Sequence, residues 1–134
     1  MLKYLEEHKV IMVYIPLLVY WLVLLGATSF PVDYLPSVGV GDKFEHLFAY
    51  FGLTVLLNLT LIFQNKFLLL KRKNTLFTLI ISGLYGALDE IHQYFIPGRS
   101  CEFFDWGADF LGILLGIILI TYLIKQYNYL PQED

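Results

Sequence analysis

Four apolar runs, each about as long as a bilayer-crossing helix, constrain this chain more than any other feature: roughly residues 10–30, 44–63, 75–95 and 103–124. A helix needs about 20 mostly apolar residues to span the hydrocarbon core. Composition agrees, with 57% hydrophobic and 17% aromatic residues and a mean hydropathy of +0.63, too apolar for an ordinary soluble domain of 134 residues. No block of distinct composition splits off, so residues 1–134 read as a single membrane domain. The expected fold is all-α, a polytopic membrane protein built as a four-transmembrane-helix bundle. Pro16 lies inside the first run, where neighbouring groups can re-satisfy the freed carbonyl at the cost of a kink. That run reads as a retained span and not a signal peptide. Its apolar stretch exceeds the roughly 7–15 residues of a signal's h-region, and Glu6 and Glu7 stand where a signal is basic.

Charge placement sets an expected orientation. A net charge of -3 offers no basic field, which argues against a nucleic-acid partner. Lys3 and Lys9 precede the first run, Lys66, Lys71, Arg72 and Lys73 separate the second from the third, and Lys125 follows the fourth; the other two connections carry only Lys43 and Arg99. By the positive-inside rule both termini face the cytoplasm, and the segments 31–43 and 96–102 face outward across a cell membrane. The lone Cys101 cannot close an intramolecular disulfide and has no metal-site spacing, so it reads as a packed free thiol. The ending YNYLPQED reads as a short polar tail.

The outward assignment gathers the polar chemistry on one side. Residues 85–116, YGALDEIHQYFIPGRSCEFFDWGADFLGILLG, set Asp89, Glu90, His92, Gln93, Arg99, Asp105 and Asp109 among apolar neighbours, and Asp42, Lys43, Glu45 and His46 open the second run. Helical neighbours lie three or four apart. Asp42, His46 and Tyr50 therefore form one stripe, and Gly86, Glu90 and Gln93 another, with Asp89 and His92 beside it. Asp105, Asp109, Gly112 and Gly116 form a third stripe, whose glycines allow close helix approach and bring the two carboxylates against the second and third spans. An ionisable group at the centre of a membrane costs roughly 2.5–3.5 kcal/mol, so Glu90 and Asp109 are expected to face the bundle interior with partners. Lys43, His46 and Arg99 are the available cations, and Glu90 and Arg99 are expected to meet Asp105 and Asp109.

In its ordered motifs the chain resembles the VanZ-like family of small bacterial membrane proteins. The residues concerned are Asp42-Lys43-x-x-His46-x-x-x-Tyr50, then Asp89-Glu90-x-x-Gln93-x-Phe95-x-Pro97-Gly98-Arg99, then Asp105-x-x-x-Asp109-x-x-Gly112-x-x-x-Gly116. Asp109 departs from the pattern, since asparagine is expected there. The resemblance implies a multi-pass protein of the cell envelope and, in the namesake, lower susceptibility to the lipid-tailed glycopeptide teicoplanin.

Three functions are compatible with these residues. The preferred one is recognition of membrane lipids or another anionic lipid-like amphiphile at an outward-facing pocket, with translocation a further step. Asp42, Lys43, His46, Tyr50, Glu90, Gln93, Arg99, Asp105 and Asp109 form the candidate ligand-binding set, and Lys43, His46 and Arg99 are its donors to a phosphate or carboxylate. The second is a membrane-embedded hydrolase of lipid head groups, metal-dependent or using His46 and Glu90 as catalytic candidates. No metal-binding motif supports it, so no metal or cofactor is expected and the balance is against an enzyme. The third is a structural ion-pair cluster with no ligand, in which His92 and Glu102 are solvated surface groups. Exposed glycine faces would also allow a homo-oligomer.

Overall fold

The computed structural model describes residues 1–31, 41–99, 102–127 and 129. The expected outward connection over 32–40, the thiol of Cys101 and most of the polar tail lie outside them. The described chain is all-helical: α1 (Leu2–Glu7), a π-helical turn (Val10–Tyr14), α2 (Ile15–Ser29), α3 (Asp42–Phe63), α4 (Leu68–Arg72), α5 (Asn74–Gln93) and α6 (Phe103–Gln126), with no strand among the described residues. Among the described residues, three stretches are long and apolar enough to cross a membrane, Val10–Ser29, Asp42–Phe63 and Phe103–Gln126. At 20 residues α5 has the length, about 30 Å at 1.5 Å per residue. It falls short in apolarity, because Asp89, Glu90, His92 and Gln93 crowd its last turns.

Local chemistry explains the breaks. Pro16 has no N–H to offer the carbonyl one turn earlier, and the ladder loosens into the wider π turn at Val10–Tyr14 just before it. The kink expected at Pro16 thus takes the form of a π turn. Lys9 Nζ donates to the Phe63 carbonyl at 2.7 Å, placing a cation on the negative end of α3. After α5 the chain reverses through Gly98, whose φ of 80° lies in the left-handed region that glycine enters without steric cost.

Packing centres on α3. It runs parallel to α6, with Lys43 beside Asp105, His46 beside Asp109 and Thr54 beside Gly116. It runs antiparallel to α5, with His46 facing Glu90 and Tyr50 facing Gly86. The glycine stripe of α6 permits this closeness: a Cβ at Gly112 would lie 2.2 Å from the Leu47 carbonyl oxygen, and one at Gly116 would lie 2.9 Å from Thr54 Cβ. Leu53, Leu57, Leu61 and Ile113 pack the centre with Leu17 of α2. Leu2, Val13, Ile62, Phe63 and Ile120 close the end at which α3 finishes. Leu18, Val19, Leu22 and Val23 of α2, and Leu111, Ile118 and Tyr122 of α6, remain exposed. So broad an apolar surface suits contact with lipid tails.

Candidate functional site

The last residues of α2 and α5 and the first residues of α3 and α6 meet at one end, and the charged side chains converge there. Two helix N-termini bring positive dipole ends to this place, which favours carboxylates. Asp42 and Glu45 lie in the first turn of α3, and Asp105 lies in the first turn of α6. Asp89, Glu90, Gln93, Asp105 and Asp109 are all buried.

Two networks hold these groups. In the first, Lys43 Nζ donates to Asp105 Oδ1 at 2.8 Å and to Glu102 Oε2 at 3.2 Å. One turn deeper, His46 Nδ1 lies 2.9 Å from Asp109 Oδ1 and 3.7 Å from Glu90 Oε1. An ionised carboxylate only accepts, so in that state of Asp109 the proton of the bond sits on Nδ1 and Nε2 is left for another partner. Glu90 Oε2 accepts from the backbone N–H of Glu102, the residue that caps α6. This bond ties the end of α5 to the start of α6.

The second network belongs to Arg99. Its Nη2 donates to the Ala27 carbonyl at 2.7 Å, its Nε to the Phe30 carbonyl at 3.1 Å and its Nη1 to Gln93 Oε1 at 3.0 Å. Gln93 Nε2 in turn donates to Asp89 Oδ2 at 3.3 Å, and the Tyr50 hydroxyl approaches the same oxygen at 3.4 Å. Gly86 leaves room for this arrangement, since a Cβ there would meet the Tyr50 ring at 3.3 Å and Asp109 Oδ2 at 3.4 Å.

The expected site residues therefore divide. Lys43, His46, Glu90, Asp105 and Asp109 form one contact group, whereas Tyr50, Gln93 and Asp89 bond to one another and, through Gln93, to Arg99. Asp42 is exposed at the rim, yet its carboxylate, His46 and Asp105 have ligand atoms within 4.8 Å of one another. His46, Glu90 and Asp109 form a second such trio, able to offer a divalent cation one nitrogen and two oxygen ligands. Arg99 corrects the expectation that it meets Asp105 and Asp109. Its planar fork is committed to the carbonyls ending α2 and to Gln93, because helix C-termini present unpaired carbonyls of negative character. Asp89, assigned to a neighbouring face, is buried within the site. His92 is exposed and pairs with Ser29 across to α2 at 3.1 Å. Glu102, read as a surface group, pairs its half-exposed side chain with Lys43 while its backbone binds Glu90; its place at the start of α6 was the available signal. Thr54, Asn58, Thr78 and Ser82 are fully buried and were not singled out, although Thr54 and Asn58 continue the Asp42, His46, Tyr50 interval of four.

A ring of exposed aromatic side chains surrounds this end: Phe30, Phe44, Tyr94, Phe95, Phe103 and Phe104. Trp106 stacks on Phe110, with centroids 5.8 Å apart, and lies tilted against Phe103.

Comparison with known proteins agrees with the ordered motifs. An uncharacterised protein of Schizosaccharomyces pombe, C11E3.10, is 32% identical over 135 residues, a match that covers 93% of this chain and 76% of the relative. No solved structure matches. The model of the VanZ/LLP1 family matches residues 10–125, which include every helix of the site, and the chain belongs to that family.

Proposed function

We propose that this chain crosses the membrane four times and binds the head group of an anionic, hydroxylated lipid-like amphiphile at its polar end. One observation carries the reading: half-exposed Lys43 stands over His46 and the buried carboxylates Glu90, Asp105 and Asp109, at an end that also carries exposed aromatics. Aromatic rings of this kind concentrate at the membrane–water interface, the depth at which head groups lie. The side chain of Lys43 is 52% exposed, and one of its two partners, Glu102, is 48% exposed, so an anionic oxygen has a cation to approach at the rim. Asp105, only 5% exposed at its side chain, holds that cation in place from below. Asp42 supplies an acceptor for hydroxyls of the same head group and His46 Nε2 a further donor, while the apolar faces of α2 and α6 run on toward the acyl chains. Arg99 acts in this reading as a positioning residue that fixes α2 against α5.

Four crossings follow if α5, whose ionisable groups are confined to one end and buried, spans beside α3. The basic residues 66–73 and Lys9 lie at the opposite end from the cluster, which supports cytoplasmic termini and an outward-facing site in a cell membrane. The yeast relative favours a ligand drawn from membrane lipids over one confined to bacterial walls. A lipid-tailed glycopeptide such as teicoplanin is an amphiphile of the same general build, and that is the link in this reading to antibiotic susceptibility. A phosphatidic acid analogue with a photoreactive group near its phosphate tests the site in reconstituted protein. Crosslinks on residues 43–50 and 102–110 are expected; crosslinks confined to the outer faces of α2 and α6 would leave the pocket without a ligand.

A further inference from the structure

Below the acid–histidine cluster, α3 and α5 face each other through polar side chains at steps of four. His46 opposes Glu90 and Tyr50 opposes Gly86. Carried on in the same antiparallel register, Thr54 falls opposite Ser82 and Asn58 opposite Thr78. All four deeper residues have zero exposure. The hydroxyls of Thr54, Thr78 and Ser82 and both ends of the Asn58 amide have no hydrogen-bond partner in the protein. Serine and threonine in apolar helices usually bond back to a carbonyl one turn earlier, and these do not. At the upper end Glu90 Oε1 and Asp109 Oδ2 are likewise without a hydrogen bond, although Glu90 Oε1 stands at ion-pair distance from His46.

Five unpaired polar atoms, all on fully buried residues at matching levels of two helices, call for a polar guest. Water is the guest that fits, because it both donates and accepts and bridges two to four such groups. The file starts at a histidine and two carboxylates, and it stops one turn short of Asn74, where α5 begins. Chains of buried acids and histidine leading into hydrated paths are how membrane proteins relay protons.

We propose that α3 and α5 enclose a hydrated polar file that conducts protons between the His46–Glu90–Asp109 cluster and the opposite end of the bundle. Each transfer is balanced: a water or hydroxyl accepts one proton on one side and releases one on the other, and the net movement is a single positive charge. Asn58 cannot relay a proton and orients the waters beside it. The inference takes from the preceding reading only that α5 spans with α3; it does not require head-group binding.

The full chain in vesicles containing a trapped pH-sensitive dye, driven by a potassium gradient with valinomycin, measures the flux. The wild type should acidify the lumen several-fold faster than protein-free vesicles. The rate should fall to the protein-free level in Asn58→Leu combined with Thr78→Val. Ser82→Ala and Thr54→Val, which remove unpaired hydroxyls and should not unfold the protein, should each slow it. A wild-type rate equal to that of protein-free vesicles overturns the file, as does a rate unchanged in all these variants. Labelling Asn74→Cys from each side separates the two possible failures. A cysteine labelled from the same side as one placed at Phe103 defeats the spanning of α5, whereas opposite-side labelling without flux defeats the file alone.

Discussion

Placing an alanine at Gly112 tests the helix contact on which the site depends. The added Cβ would sit 2.2 Å from the Leu47 carbonyl oxygen and 3.0 Å from the Phe51 nitrogen, both backbone atoms that cannot swing aside. To reach an ordinary contact of 3.4 Å, α6 must withdraw from α3 by about 1.2 Å. Asp109 lies less than one turn away on the same face, and its 2.9 Å contact with His46 cannot survive that separation. Overpacking costs about 1–3 kcal/mol, and leaving the buried His46–Asp109 pair unmade costs about as much again. Against this, alanine gains up to about 1 kcal/mol in helix propensity. A net loss of about 1–5 kcal/mol should lower the unfolding temperature in detergent, followed through Trp21 and Trp106 fluorescence, by roughly 3–25 °C. Gly107→Ala is the control on the same helix, because a Cβ there meets nothing within 4 Å. It should leave stability unchanged or slightly raised. If Gly112→Ala unfolds at or above the wild-type temperature, α6 is not seated on α3 as described.

Three further outcomes follow from the networks. Arg99→Lys should lose about 1–3 kcal/mol in the same unfolding assay, since an ammonium cannot reach the Ala27 and Phe30 carbonyls and Gln93 together; an unaltered unfolding temperature would mean that the three bonds do not hold α2 to α5. Asp109→Asn keeps an oxygen for His46 and should fold nearly as well as the wild type, whereas Asp109→Leu orphans the imidazole and should cost about 1–3 kcal/mol; equal stability of the two would count against the pairing. Pro16→Ala restores a donor to the carbonyl one turn earlier, so amide hydrogen exchange over residues 10–16 should slow as the π turn tightens; unchanged exchange would assign the π turn to another cause.

Much of the fold was legible because apolar length and the interval of four are strong signals. The bounds of α3, α5 and α6 fell within two residues of the apolar runs, and the Asp105, Asp109, Gly112, Gly116 stripe faces α3 as its glycines require. That Lys43 and His46 share one end with Asp105 and Asp109 came from the same arithmetic joined to orientation, whereas the pairs themselves, Lys43 with Asp105 and His46 with Asp109, did not. Arg99 was misassigned because charge attraction was weighed without the carbonyls at the end of α2, whose position depends on how the chain turns between helices. Glu102 was missed for a related reason, since its backbone N–H becomes a partner only once α6 starts there. The polar file went unnoticed because Thr54, Thr78 and Ser82 are unremarkable in membrane helices until both helices are set in register.

Selection of an anionic head group at this polar end should depend on Lys43. Retention of phosphatidylglycerol against phosphatidylcholine by the detergent-solubilised chain, read by native mass spectrometry, tests it most directly. The wild type should keep phosphatidylglycerol in preference, and Lys43→Ala, still folded by its unfolding temperature, should keep the two lipids equally. Equal retention by the wild type, or a preference that survives the loss of Lys43, would contradict it.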